Sequence, residues 1–393
     1  MKRFKPLLNK DIVLILASSF LYSWSSQLLI PTFPLFISSR GGDEKVVGLL
    51  TGLFAFTAVF ARPILGRMMD KRGRKFVLFL SLVVGATGPL LYAFGTNFFF
   101  ISLARIYHAI SLAGFITGAQ TLIADLCAPK ARGLIVTVSG VVNGIALSSA
   151  PFLGFWIYDR FGFTPLFIIS CLMAALALPL LIFVEEPERT PKDDQRISAP
   201  FLTVLGNRWV VIPCLALFAV TLGQGATNAF LPLHGLSVGV TNISLFFTFY
   251  SLSSMVTSAI LAMLSNRLTG KLASLGLVFI TLGALGLSQF TTLWDLVLYA
   301  ILMGSGFALA YNVLLTVILD KTTLAERAQG VSLYANAFDL GISTGSMALG
   351  VVATSSFASL WLLVASVTFL GFLLIRLGAI HHIQLGQANS SGS

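Results

Sequence analysis

The chain has 393 residues, of which 56% are hydrophobic, 12% aromatic and only 10% charged, where a soluble domain carries about a quarter charged residues. This excludes a soluble globule and predicts a polytopic membrane protein. The formal net charge of +10 would point to nucleic acid in a soluble chain, but here the cations fall between apolar runs, so the expected partner is a lipid bilayer and not nucleic acid.

The chain begins "MKRFKPLLNKD", like the basic region of a signal peptide. The apolar run that follows continues to about Ile37 without a small-residue cleavage site, so it reads as an uncleaved first helix. A span needs ~20 apolar residues, and twelve such stretches are predicted, at 12–38, 46–67, 76–95, 98–126, 134–158, 164–184, 208–235, 243–265, 272–290, 294–320, 329–353 and 358–378. Between the sixth and seventh lies "EEPERTPKDDQRISAP", rich in charge and proline. The predicted organisation is therefore an all-α membrane protein of two pseudo-symmetric six-helix bundles, residues 1–184 and 208–380, joined by a linker at 185–207. The polar tail, 381–393, reads as a tag remnant. With both ends inside, the inner segments hold 20 Lys and Arg and the outer loops only Arg40, Lys45 and Arg160. That bias predicts cytoplasmic termini in a cell (inner) membrane. Cys127, Cys171 and Cys214 show no ligand-like spacing, so neither a disulfide framework nor a metal site is predicted.

Sliding the chain by 196 residues places "GRMMDK", which begins at Gly66, over "AMLSNR", which begins at Ala262. The same shift sets Asn143 over Asp339 and Gly154 over Gly350. Parallel halves of six helices, with a site near the midplane, describe a transporter that works by rocking between two states. In the full stretch "GRMMDKRGRK", residues 66–75, five cations and one carboxylate crowd one turn. Gly66 leaves room for a neighbouring helix, Gly73 permits a tight turn, and Asp70 suits the positive end of another helix. A purely topogenic loop would explain the cations but not Asp70 or the glycines.

This stretch matches G-x-x-x-D-[RK]-x-G-R-[RK] at every specified position, and with the spans and the repeat it resembles the major facilitator superfamily, in particular its twelve-helix drug:proton antiporters. The resemblance implies that Asp70 meets the eleventh helix near Gln329 and that Arg74 pairs with Asp125 in a charge relay. It also covers "ARIYHAISLAGF" on the fourth span, similar to R-x-x-[QH]-G with Ala109 in place of glycine. That similarity implies a role in proton coupling for Arg105, with His108 beside it on nearly the same helix face; the alternative is an Arg that ties the fourth helix to the first through carbonyl oxygens. On the fifth span, Gly140, Gly144, Pro151 and Gly154 resemble the antiporter motif G-x-x-x-G-P-x-x-G-G, with Ala150 and Phe155 departing from it. Plain helix packing accounts for the same glycines.

Four ionisable groups lie well inside spans: Arg62, Arg105, His108 and Asp339. Each costs at least ~2.5 kcal/mol at the bilayer centre if it faces lipid, and is a functional candidate for that reason. The helical rise places Asp339 ~15 Å and Arg105 ~10 Å from opposite ends of their spans, at nearly one level of a ~30 Å core. A carboxylate withheld from bulk water can carry protons near neutral pH, so Asp339 is the leading carrier; the alternative is a structural pairing within its own half. Arg62, before Pro63, reads as structural. The remaining polar and aromatic span residues, Tyr22, Trp24, Gln27, Gln120, Asn143, Gln224, Asn228, Tyr311, Asn312, Tyr334 and Asn336, are candidates for the substrate cavity.

The sequence therefore predicts a monomeric, proton-coupled exporter of a small amphipathic molecule, with no cofactor beyond the proton gradient. Rival readings on the same fold are a symporter or facilitator for a sugar, organic anion or peptide, and a lipid or lysolipid flippase. A membrane-embedded enzyme is disfavoured, since there is no HExxH or G-x-S-x-G motif.

Overall fold

We describe the protein from a computed structural model covering residues 9–127, 132–187, 201–264, 269–378 and 380. The regular elements are helices, in the order α1 (Lys10–Leu29), α2 (Phe33–Ser39), α3 (Glu44–Arg72), α4 (Arg74–Ala93), α5 (Phe98–Leu126), α6 (Arg132–Phe161), α7 (Phe163–Ile182), α8 (Phe201–Leu205), α9 (Arg208–Val238), α10 (Ser244–Met263), α11 (Gly270–Leu287), α12 (Leu293–Lys321), α13 (Leu324–Met347), α14 (Leu349–Ala353) and α15 (Phe357–Leu377). The basic start, most of the expected linker, Asn266 and Arg267 of the repeat, and the polar tail lie outside the described residues.

Local chemistry sets many of the helix ends. Asn9, Asn97 and Asn207 accept the N–H of Ile12, Phe100 and Trp209 at 2.8, 2.8 and 3.0 Å, supplying acceptors for otherwise orphaned donors. Thr292 with Asp295, and Thr323 with Glu326, form reciprocal capping boxes at the starts of α12 and α13.

Eleven of the expected spans are formed by helices long and apolar enough to cross a bilayer, α1 and α2 together counting as one. The expected eleventh span falls on α13 and α14. Glu326, Arg327 and Asp339 all fall within the 24 residues of α13.

Two of the predicted spans differ from the structure. The first is two helices, because Pro31 cannot donate to the helical ladder and Thr32 Oγ1 instead donates to Leu28 O at 2.8 Å. The eleventh starts at Leu324, five residues before the expected limit, because the Thr323 capping box fixes it there, and it is interrupted at Ala348 between Gly345 and Gly350. A short helix, α8, also forms within the stretch read as linker.

The chain divides into two compact units, one of Met1–Gly41 with Leu53–Thr190 and the other of Gly42–Gly52 with Pro191–Ser393. In the first, α1 packs on α6 and α7, and α4 packs on α5 and α7. Tyr22, Leu78, Leu82, Phe115 and Leu122 belong to its core. In the second, α9 packs on α13 and α15, and α12 on α10 and α11. A Cβ at Gly225, Gly341 or Gly345 would collide with Ile342, Thr221 or Leu222 respectively, so α9 and α13 approach almost backbone to backbone.

Candidate functional site

The charged turn lies in the first unit, where α3 ends and α4 begins. Gly73 between them has φ +99°, a conformation that side chains rarely adopt. Arg74 Nε lies 3.0 Å from Asp125 Oδ2 at the end of α5, a charge contact without an aligned N–H. Asp70 is exposed on the last turn of α3. Around Gly66 a Cβ would meet nothing within 4 Å; close approach is made instead at Gly114 and Gly118 of α5, where an added Cβ would come 3.2 Å from Leu65 and Met69 respectively.

Sequence reasoning missed the acid that organises this turn. Glu186, just past α7, accepts from Arg74 N at 2.7 Å and from Lys75 N at 3.2 Å, the first backbone donors of α4. Lys75 Nζ in return donates to Ile182 O and Val184 O, both at 2.7 Å. The partners are more than a hundred residues apart, so no local pattern could have revealed them.

In the interior of the same unit, the Arg105 guanidinium is sandwiched between Phe33 of α2 and Phe54 of α3, 3.9 and 4.2 Å from the ring centroids. It is 2% exposed, and desolvated cation–π pairs of this kind are worth about 2 kcal/mol. Its guanidinium also reaches the Tyr92 hydroxyl, which lies 2.9 Å from His108 Nδ1. Which of the two donates in the Tyr92–His108 bond depends on the ring's tautomer, and the other ring nitrogen is Nε2. That nitrogen is buried with no partner among the described residues.

Several expected cavity residues of this unit are engaged in its framework. Tyr22 is 2% exposed, stacked on Phe115 at 4.1 Å and bonded to Ser111 at 3.1 Å. Trp24 Nε1 donates to Ser149 Oγ at 2.9 Å, and Asn143 Oδ1 accepts from Ser23 at 2.7 Å. Gln27 is half-buried and Gln120 exposed. Of the antiporter-like residues on α6, Gly154 lies against α1, where a Cβ would come 2.6 Å from Leu28 O. Pro151 is buried, Gly144 half-buried, and Gly140 is exposed with nothing near its Cβ position.

In the second unit Asp339, on α13, is 3% exposed. Beside it in sequence, Phe338 joins a ladder of rings that sequence reasoning only partly identified. Phe246 and Tyr250 of α10 lead to Phe307 and Tyr311 of α12, and Tyr311 in turn meets both Tyr334 and Phe338 of α13, with contacting centroids 5.6–6.1 Å apart. Tyr334 OH donates to Tyr311 O at 2.7 Å. Tyr250, Phe307, Tyr311 and Phe338 are half-buried. Asn312 bridges α12 to α10, donating to Ser258 Oγ at 3.1 Å and to Ala308 O at 2.8 Å. Gln224, Asn228 and Asn336 are half-buried, and Gln224 Oε1 has no partner among the described residues. Asp339 and Arg105 belong to different units.

A helical, multi-pass membrane protein with charge at its turns and a few ionisable side chains enclosed within its helices belongs to the transporter class. The family model of the Major Facilitator Superfamily matches residues 15–241 and again 213–382, and the chain belongs to that family. It is a membrane transporter and not an enzyme. It is 26% identical over 388 residues to the multidrug resistance protein MdtG of Proteus mirabilis (strain HI4320), covering 92% of this chain and 94% of that one. It is 23% identical to the quinolone resistance protein NorA of Staphylococcus aureus (strain MSSA476), over 58% of this chain and 59% of NorA. Among solved structures, the nucleoside transporter NupG superposes with a TM-score of 0.74 at 16% identity, covering 94% of this chain and 100% of that one. A bacterial homologue of the human lysosomal transporter Spinster gives 0.73 at 14%, covering 96% and 98%.

Proposed function

We propose that this chain is a proton-coupled exporter of small amphipathic cations with a planar aromatic part, acting by alternating access in the inner membrane with both termini in the cytoplasm. The observation that carries the reading is the buried Asp339 in the same unit as a set of six contacting aromatic rings, one of them its sequence neighbour Phe338. A carboxylate attracts a cation and a π-face holds it, while protonation of the same carboxylate releases it. Loading by either a proton or the cargo, but not both, couples the two fluxes. The similarity to MdtG and NorA, named for multidrug and quinolone resistance, supports export. An anionic cargo is less well served, because the Arg105 guanidinium already lies over the rings of Phe33 and Phe54.

The test uses inverted vesicles with ethidium, a sugar and a lysolipid as probes, with and without a pH gradient. Ethidium flux driven by the gradient, and lost by at least ~100-fold in Asp339→Asn with ethidium binding retained, is the expected result. Flux indifferent to the gradient, or full activity of the variant, overturns the reading.

A further inference from the structure

We infer that Glu186 is a positioning residue of the transport cycle, a clasp that makes the start of the inter-unit linker and the charged turn one mechanical element. The inference rests on family membership and not on the proposed cargo.

Three sets of bonds hold residues 183–187 to the first unit. Glu185 N donates to Asp11 Oδ1 at 3.1 Å, and Lys10 Nζ sits 5.8 Å over the Phe183 ring. Lys75 closes the carbonyl end of α7, and the Glu186 carboxylate closes the N-terminal end of α4. Two antiparallel helix ends are thus stapled by one exchange, an anion on the positive end of α4 and a cation on the negative end of α7, each in the sense the helix dipole favours.

Gly73 makes the seat. A Cβ there would stand 2.7 Å from Glu186 Oε2, so a side chain would expel the carboxylate as well as strain the backbone. The glycine of the charged motif therefore admits the linker's acid in addition to permitting a turn. Because Arg74 gives its backbone N–H to Glu186 and its side chain to Asp125, a force on the linker is transmitted to the Arg74–Asp125 pair through a single residue. A merely structural cap would stabilise α4; a clasp would also change how the protein distributes between its states.

Both consequences can be read without knowing the cargo. In the full-length protein, Glu186→Ala is expected to speed amide exchange at Arg74 and Lys75 by about tenfold or more. It should also shift the distance distribution between spin labels placed through Arg67→Cys and Lys271→Cys. Glu186→Asp should restore part of both effects, and Gly73→Ala should shift the distribution in the same direction. In the double variant the two shifts should not add, because each removes the same contact. Glu186→Gln, which keeps the volume and one acceptor, guards against a variant that fails to fold and should fall between. Faster exchange with an unchanged distance distribution would reduce Glu186 to a cap and overturn the inference. Fully additive shifts of Gly73→Ala and Glu186→Ala would do the same.

Discussion

The two units derive from one repeated pattern but hold their interior charge in different ways. In the first, Arg105 lies between two rings and its neighbours Tyr92 and His108 are bonded to each other. Asn143 is tied to Ser23, Glu186 holds the first backbone donors of α4, Asp125 meets the Arg74 side chain, and Asp11 accepts from Glu185 N. In the second, the position that corresponds to Asn143 is Asp339, a carboxylate enclosed in the helix packing. Ser111 and Phe115 of the first unit correspond to Phe307 and Tyr311 of the ladder. One copy encloses a cation beside aromatic rings, while the other encloses a carboxylate.

Moving the carboxylate would break this comparison most directly. Asp339→Asn should remove gradient-driven flux, and adding Asn143→Asp to it should not restore it, because the first-unit site is already committed to Ser23. A double variant that recovers more than about a tenth of the flux would show the two positions to be interchangeable. Next in size is the enclosed cation. Arg105→Lys exchanges a planar guanidinium for a point charge that stacks poorly, and thermal unfolding in detergent should register a loss of about 2 kcal/mol. The corresponding residue of the second unit, Ile301, is 41% exposed, and its replacement by Ala should stay within about 0.5 kcal/mol.

The local elements of both units were more legible in sequence than the contacts between distant segments. Twelve apolar runs and the charged turn are local signals, since they depend on residues within a few positions of one another. The break after Ile30 is written in Pro31, which stands inside a long apolar run. The start of α13 was written in the Thr323–Glu326 spacing. What no pattern carried was long-range: Glu186 on α4, the rings around Arg105, and the ladder that joins three helices. The 33 Phe in the chain also hide those few that stack among those that face lipid.

The ladder offers a smaller effect with sharper specificity. Tyr334→Phe deletes the bond to Tyr311 O, costing about 1 kcal/mol of stability, and Phe338→Leu deletes a stacking surface. Both should weaken uptake of a planar aromatic cation several-fold more than that of an aliphatic quaternary ammonium, since only the former has a π-face to lose. Tyr22→Phe in the first unit removes a comparable bond, to Ser111, and should lower stability without changing that selectivity. Equal loss for the two probes across all three variants would make the ladder ordinary packing.

The smallest effect concerns how each unit finishes a helix at the end bearing its charged turn. The first uses Glu186 from a distant segment, whereas the second uses Glu326, three residues from its partner Thr323. The Thr323 backbone N–H, then its hydroxyl, hold the Glu326 carboxyl below the usual range. A carboxylate whose value is lowered by folding contributes above the ordinary Glu pKa of about 4.3, and that contribution is lost as pH falls through the lowered value. Amide exchange at the start of α13, corrected for its intrinsic pH dependence, should therefore quicken on acidification below that range. In Glu326→Gln the acid-dependent part should vanish, leaving the distance distribution between the labels at positions 67 and 271 unchanged. A shift there as large as that of Glu186→Ala would erase the distinction between a local cap and a clasp that reaches the linker.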